Sequence, residues 1–330
     1  MRILVTGGTG FIGANLTRRL LADGHDVHLL LRPAANVWRL EGVLDRVRVH
    51  AGDLVDAGRL RDVLTTVRPT HIVHLATYGA YPAQADSRQV AQTNVLGTIQ
   101  LLRAAEAVGF KMFINTGSSS EYGVKTAPMR EDDTLQPTDA YGASKAAATA
   151  YCRHRARAAG LPIVTLRPFS VYGPFEAPTR LFPTAVTRVL RGEPVHLAHP
   201  GVARDFTDVR DVVEGYLAAL NATRLRGEAV NLASGRQTTL ADFAVALLKV
   251  TGGRARVQWD ARAGRPNDAA TWVGDPVRAR TLLGWQATTD VVTGLAQMFD
   301  WVRAHPDAYR HHTMKAYVAS RKMSEMRSFG

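Results

Sequence analysis

The chain has 330 residues, 46% of them hydrophobic and 21% charged; this length suits a large α/β unit with a smaller lobe, and the composition excludes a disordered chain. No apolar run reaches the roughly 18–20 residues of a membrane span, and the single cysteine, Cys152, excludes an internal disulfide framework. The net charge of +12 comes mostly from arginines scattered along the sequence, a solvated surface rather than a tract for nucleic acid, so neither a membrane nor a nucleic-acid partner is expected. The first residues, Met1-Arg-Ile-Leu-Val-Thr-Gly-Gly, run straight into glycines without the zones of a signal peptide, and a cytoplasmic protein is expected.

Short β-like apolar runs alternate with helical periodicity from the start. Residues 2–6 read as a strand, 11–23 as a helix and 26–31 as a second strand. Strands at 47–50, 71–76 and 112–116 follow, with helices near 56–66 and 87–108, then a long helix at 139–159 and a strand at 162–167. This alternation is the sequence form of right-handed βαβ units, so the expected fold class is α/β with a doubly wound parallel sheet. After residue 167 the rhythm breaks at Pro168, Pro174, Pro178 and Pro183, which marks a smaller C-terminal substrate lobe. A helix at 209–220 and a strand at 228–232 are expected to return to the main sheet, and helices at 240–251, 276–283 and 291–304 to belong to the lobe. The expected division is a dinucleotide domain over 1–167 with a return segment at about 203–232, a lobe over 168–202 and 233–310, and a basic tail over 311–330.

The first strand empties into Thr6-Gly-Gly-Thr-Gly-Phe-Ile-Gly13, and a helix follows. Glycines suit such a turn because it takes positive φ angles and because a dinucleotide's pyrophosphate must approach bare N–H groups at the helix's positive end. A strand before and a helix after make this a Rossmann dinucleotide site, with Gly7, Gly10, Phe11, Ile12 and Gly13 at the phosphates. The second strand ends Val27-His-Leu-Leu-Leu-Arg32, with no carboxylate for a ribose 2′-hydroxyl. A guanidinium pairs with a 2′-phosphate that a carboxylate would repel, so Arg32, with Asn36 and Arg39 just beyond, favours NADP(H) over NAD(H). Asp53 ends the third strand where the adenine is expected.

Tyr141-Gly-Ala-Ser-Lys145 opens the long helix, and the i, i+4 spacing puts both side chains on one face. A phenol with a pKa near ~10 is a poor base at neutral pH, but an adjacent ammonium and an oxidised nicotinamide lower that value. The loop Asn115-Thr-Gly-Ser-Ser-Ser-Glu-Tyr-Gly123 follows a strand and brings hydroxyls to the sheet's carboxyl edge, where such sheets bind ligands.

At these residues the chain resembles the extended short-chain dehydrogenase/reductases, the group of epimerases and dehydratases that modify nucleotide sugars. The resemblance runs from Met1 to about Trp301 and includes the glycine turn, Gly52-Asp-Leu, His74-Leu-Ala, Thr93-Asn-Val-Leu-Gly, the serine loop, Tyr141 and Lys145. It continues through Leu166-Arg-Pro-Phe-Ser-Val-Tyr-Gly-Pro, Arg204-Asp-Phe-Thr-Asp-Val-Arg-Asp-Val and Leu283-Gly-Trp. It implies that Tyr141 is the acid/base, that Lys145 holds the nicotinamide ribose and that Ser118 shares the reacting oxygen. Further cofactor contacts are implied from Leu54, Leu75, Ala76, Thr116 and Pro168. Substrate contacts are implied from Thr77, Ser118 and Ser119, with Arg204 and Arg265 on the diphosphate of a nucleotide sugar. No metal is expected, and the helices at 87–108 and 139–159 imply a homodimer joined by a four-helix bundle.

Three reactions of that group compete. Its 4,6-dehydratases carry an acid two positions before the loop tyrosine, a place that Ser120 takes here, with Glu121 displaced by one. Epimerases keep their NAD through each cycle, whereas a reductase exchanges spent NADPH, so Arg32 tips the expectation to a 4-ketoreductase of a deoxysugar pathway. A 4-epimerase is the alternative, followed by a 4,6-dehydratase. The different-class alternative, a non-enzymatic cofactor-sensing regulator, is disfavoured because Ser118, Tyr141 and Lys145 are all retained.

Overall fold

Alternate residues of β1 (Arg2–Thr6) enter different cores: Ile3 and Val5 join one buried cluster and Leu4 another. In β2 (Asp26–Leu31), Val27, Leu29 and Leu31 face the first cluster and Leu30 the second. Strands covered on both faces read as continuous apolar runs, which is why this region is legible in the sequence. The computed structural model describes residues 1–33, 35–81, 83–260 and 268–309.

The first half continues with α1 (Phe11–Ala22), β3 (Arg48–Ala51), α2 (Ala57–Val67), β4 (His71–His74), α3 (Ser87–Ala91), α4 (Gly97–Val108), β5 (Met112–Thr116), α5 (Ala140–Ala159) and β6 (Ile163–Pro168). The second half contains β7 (Ser170–Tyr172), α6 (Leu181–Leu190), β8 (Val195–Leu197), β9 (Ala203–Arg204), β10 (Phe206–Asp208) and α7 (Val209–Asn221). It ends with β11 (Ala229–Leu232), β12 (Thr238–Thr239), α8 (Leu240–Val250), β13 (Val257–Trp259), α9 (Val277–Leu283) and α10 (Val291–Ala304). The main sheet has seven strands in the order β11-β6-β5-β4-β1-β2-β3, and every neighbouring pair is parallel. The order reverses between β1 and β4, the switch point outside which open α/β sheets bind ligands. Residues of α1, α7 and α9 cover one face, and residues of α2, α4 and α5 the other. A further core joins α6, α8 and α10, where the Phe182 ring lies 3.9 Å from Tyr172 and 5.0 Å from Phe243. Among the described residues no helix is long and apolar enough to cross a membrane.

The structure differs from expectation at four places. The helix expected at 87–108 is interrupted by a π turn at Gln92–Leu96, an extra residue per turn that re-aims Asn94. Within 203–232 only α7 and β11 join the main sheet's core; β9 pairs with β12 and β10 with β7 in separate two-stranded ribbons. The helix expected at 276–283 in the lobe is α9, which packs on β11 and α7 because Ala279 and Trp285 complete the main core. The prolines read as a break conceal α6, since Pro183 occupies its first turn, where a missing N–H costs no helical hydrogen bond. Arg265 and the tail at 311–330 lie outside the described residues.

Candidate active site

β1 delivers the chain into the glycine turn. Gly7 has φ +73°, and a Cβ there would lie 2.5 Å from the Ala76 nitrogen. A Cβ on Gly13 would sit 2.2 Å from the Gly7 carbonyl oxygen, so only glycine lets α1 start this close to β1. Gly10 is the N-cap of α1 and no side chain caps it, which leaves the N–H groups of Phe11, Ile12 and Gly13 to serve an anion. Leu75 and Ala76 leave β4 against this turn, the Leu75 N–H donating to Thr6 O at 3.0 Å. Thr116 ends β5 with its hydroxyl 2.8 Å from that of Tyr216, and Pro168 ends β6. Beyond β3, Asp53 accepts from the Val55 N–H at 3.2 Å, and Leu54 packs under Gly97.

The strand end at Leu31 and Arg32 carries no carboxylate, and Arg32 is exposed. Asn36 is engaged locally, its Oδ1 accepting from the Trp38 N–H at 3.1 Å. Arg39 turns to the glycine turn and the corner after β7, donating to Phe175 O at 2.7 Å and Thr9 O at 3.4 Å.

Asp139 caps α5, accepting from the Gly142 N–H at 2.7 Å, and thereby starts the helix that carries Tyr141 and Lys145 one turn apart. Burial pushes the Tyr141 phenol up to about 12, and the nearby Ser118 side chain opposes that. Lys145 is buried, which pulls its ammonium down to about 8. Ser118 caps the short turn Ser119–Glu121, its Oγ accepting from the Ser120 N–H at 3.1 Å.

Glu121 is turned inward and has no exposed surface. Its Oε1 accepts from the Ser118 N–H at 2.9 Å and from the Thr149 hydroxyl at 3.0 Å, and its Oε2 accepts from Arg167 at 2.9 Å. Arg167 also donates to the Tyr122 hydroxyl at 2.8 Å, and that hydroxyl donates to Asn231 at 2.7 Å. The serine loop is therefore fixed from below by a buried ion pair, and its single carboxylate belongs to that pair.

Asn94, which periodicity alone did not single out, ties three elements together. Its amide donates to Tyr78 O at 2.7 Å and Ser144 Oγ at 2.9 Å, while its oxygen accepts from the Tyr78 N–H and the Thr77 hydroxyl. Thr77, read as a substrate contact, thus has its hydroxyl engaged by Asn94. Ser119 accepts from the Trp272 indole at 3.3 Å, and the Arg204 guanidinium lies 5.7 Å from that ring's centre. Arg204 pairs internally with Asp268 at 2.5 Å, so the structure gives this arginine an ion-pair partner of its own. Arg180, also unforeseen, donates to Ala80 O at 2.8 Å, stacks on Tyr81, and adds positive potential at Tyr141. Among the described residues no cluster of three or more His, Cys, Asp or Glu side chains is placed to hold a metal ion.

The family model described as the NAD dependent epimerase/dehydratase family matches residues 3–233. The UDP-glucose 4-epimerase of Mycolicibacterium smegmatis is 31% identical over 317 residues, spanning 92% of this chain and 99% of that protein. UDP-glucuronate 4-epimerase 1 of Arabidopsis thaliana is 29% identical over 333 residues, 91% of this chain and 76% of that one. Among solved structures, the Thermotoga maritima UDP-glucose 4-epimerase with UDP-glucose is 28% identical with a TM-score of 0.83, covering 93% of this chain and 100% of that one. The Bacillus cereus UDP-glucuronic acid 4-epimerase in complex with UDP-glucuronic acid and NAD has a TM-score of 0.81 at 28% identity, covering 92% and 100%.

Proposed function

This chain belongs to the NAD dependent epimerase/dehydratase family, and from that premise we propose that it is a nucleotide-sugar 4-epimerase for UDP-hexoses or UDP-hexuronates, working through a nicotinamide dinucleotide held on the glycine turn. The observation that carries the reading is the placement of Tyr141 one turn before buried Lys145 on α5, with the Ser118 side chain beside the phenol and Glu121 committed to Arg167. That constellation serves proton transfer at one sugar oxygen. It supplies no free acid in the serine loop for the water elimination of a 4,6-dehydratase. Relatives named as UDP-glucose and UDP-glucuronate 4-epimerases support epimerisation over the 4-ketoreduction that Arg32 alone favours.

The uncapped start of α1 and the crowding at Gly7 and Gly13 fit a pyrophosphate against bare backbone. When bound, the dinucleotide supplies a hydride acceptor for C4 and a positive charge beside Tyr141. Lys145 holds its ribose and, as a cation one turn along α5, favours the Tyr141 phenolate against the burial that opposes it. Tyr141 takes the proton of the C4 hydroxyl while Ser118 donates to the same oxygen. The same phenol returns the proton after the oxidised sugar has presented its other face, which inverts C4. Ser119, Trp272 and Arg204 form the wall along which the substrate lies, with Arg204 exchanging Asp268 for the diphosphate and Arg265 assisting. The exposed Leu96, Ala143 and Ala147 beside and along the helices α4 and α5 support pairing with a second copy.

Leu31 and exposed Arg32 favour one second reading, an NADPH-dependent 4-ketoreductase. Identification of the dinucleotide released from denatured purified protein, with dissociation constants for NAD, NADH and NADPH and Arg32→Ala as control, separates the two. Retained NAD supports the epimerase; an empty site that binds NADPH tightly through Arg32 supports the reductase.

A further inference from the structure

At the corner after β7, backbone strain, a half-buried cation and aromatic packing coincide. Phe175 has φ +68°, a left-handed conformation that a bulky side chain adopts only where its surroundings over-determine it. Those surroundings are specific. The Phe175 carbonyl accepts from Arg39 at 2.7 Å, and the neighbouring Pro174 carbonyl accepts from Asn15 of α1 at 2.9 Å. The Phe175 ring lies 4.6 Å from the Arg18 guanidinium of α1, 6.1 Å from the Trp38 ring and 5.0 Å from the Trp301 ring of α10. Tyr309, beyond α10, closes the cluster at 6.5 Å from Trp38 and 5.6 Å from Trp301.

Arg39 joins this cluster to the glycine turn. Its guanidinium stacks 4.5 Å from the Trp38 ring and reaches the Thr9 carbonyl inside the turn at 3.4 Å. Two segments far apart in sequence, after β2 and after β7, therefore converge on the first two turns of α1, with Trp301 and Tyr309 packed behind them. Those turns begin with the N–H groups that face the cofactor phosphates in the reading above.

We propose that Arg39 and the Phe175 corner form a latch over the pyrophosphate end of the dinucleotide, which keeps the cofactor bound from one turnover to the next. The inference rests on the reading that the glycine turn holds a dinucleotide. A cation in this partly dry position adds positive potential where two phosphate charges sit. Opening requires Arg39 to leave two carbonyls and the Phe175 ring to leave Arg18 and Trp301. The strained backbone then keeps only the Asn15 bond to the Pro174 carbonyl, so the open corner is free to relax its left-handed turn. Retention of this kind suits a reaction that returns its hydride to the same sugar and hinders one that exchanges cofactor each cycle.

The test compares wild type, Arg39→Met and Phe175→Gly. Arg39→Met keeps an apolar stem and removes the charge; Phe175→Gly removes the ring and the strain together and so is compatible with folding. Each protein is loaded with radiolabelled NAD and diluted into excess unlabelled NAD, and the loss of label is followed by rapid filtration, with circular dichroism melts as a check on folding. The latch predicts at least a tenfold faster loss from both variants and substoichiometric dinucleotide after gel filtration. Loss rates within twofold of wild type in folded variants overturn the latch and leave the epimerase reading standing. If Arg39→Met does not fold, Arg39→Gln and Phe175→Gly decide on the same criterion. A wild-type protein that binds no dinucleotide overturns the proposed function and the latch with it.

Discussion

Glu121→Gln removes a charge from a side chain with no exposed surface and leaves the Arg167 guanidinium, 3% exposed, without its counter-charge. Removing one partner of a buried pair costs about 3–5 kcal/mol. At about 2–3 °C of melting temperature per kcal/mol for a chain of this size, the variant melts on the order of 10 °C below wild type. The amide oxygen still accepts from the Ser118 N–H and the Thr149 hydroxyl, so the serine loop keeps its position, and turnover at 20 °C stays within about tenfold of wild type. The double variant Glu121→Gln, Arg167→Met recovers part of the lost melting temperature, because it removes the unpaired guanidinium while the amide oxygen still serves the Ser118 N–H and the Thr149 hydroxyl. Circular dichroism melts and a coupled epimerase assay measure both quantities. An unchanged melting temperature with abolished turnover refutes the reasoning: Glu121 would then be a proton-transfer group and elimination of water would return as the reaction.

Tyr141→Phe leaves the melting temperature unchanged and lowers turnover by roughly 10²–10⁴-fold; full turnover on a nucleotide sugar would contradict the assigned proton path. Gly13→Ala forces the turn apart, since its Cβ would stand 2.2 Å from the Gly7 carbonyl oxygen; dinucleotide affinity measured by fluorescence titration falls more than tenfold. Burial lowers His74 to about 3 and His71 to about 4, while the unfolded chain takes up those protons near pH ~6.5. The unfolded state therefore binds more protons below that pH, so their stabilisation is fully present above about 6.5 and falls as pH drops toward 4. The urea midpoint is accordingly lower at pH 5 than at pH 7.5, and equal midpoints would contradict it.

Much of the main sheet is visible in the sequence because its strands are buried on both faces and punctuated by glycine. The lobe is less visible for physical reasons. Ribbons of two or three residues such as β9 and β12 are too short to show a period, and Pro183 hides α6 by sitting where a helix tolerates it. The Glu121–Arg167 pair joins residues 46 apart and has no local signature, so Glu121 read locally looks like a free acid. Asn94 stood in a motif already noted, but a π turn leaves the apolar period almost unchanged. Arg32 stands between two signals: the strand-end rule favours NADP and a reductase, whereas the similar proteins named as 4-epimerases, one of them in complex with NAD, point the other way.

In the proposed reaction one site removes the hydrogen at C4 and gives it back to the other face of the same sugar. UDP-glucose deuterated at C4, incubated with the purified protein without added cofactor, measures this directly by NMR and mass spectrometry. The account predicts the C4 epimer with deuterium retained at C4. Loss of deuterium to solvent, a 4-keto-6-deoxy product, or, in a parallel incubation with NADP, transfer of the deuterium to that cofactor would contradict it.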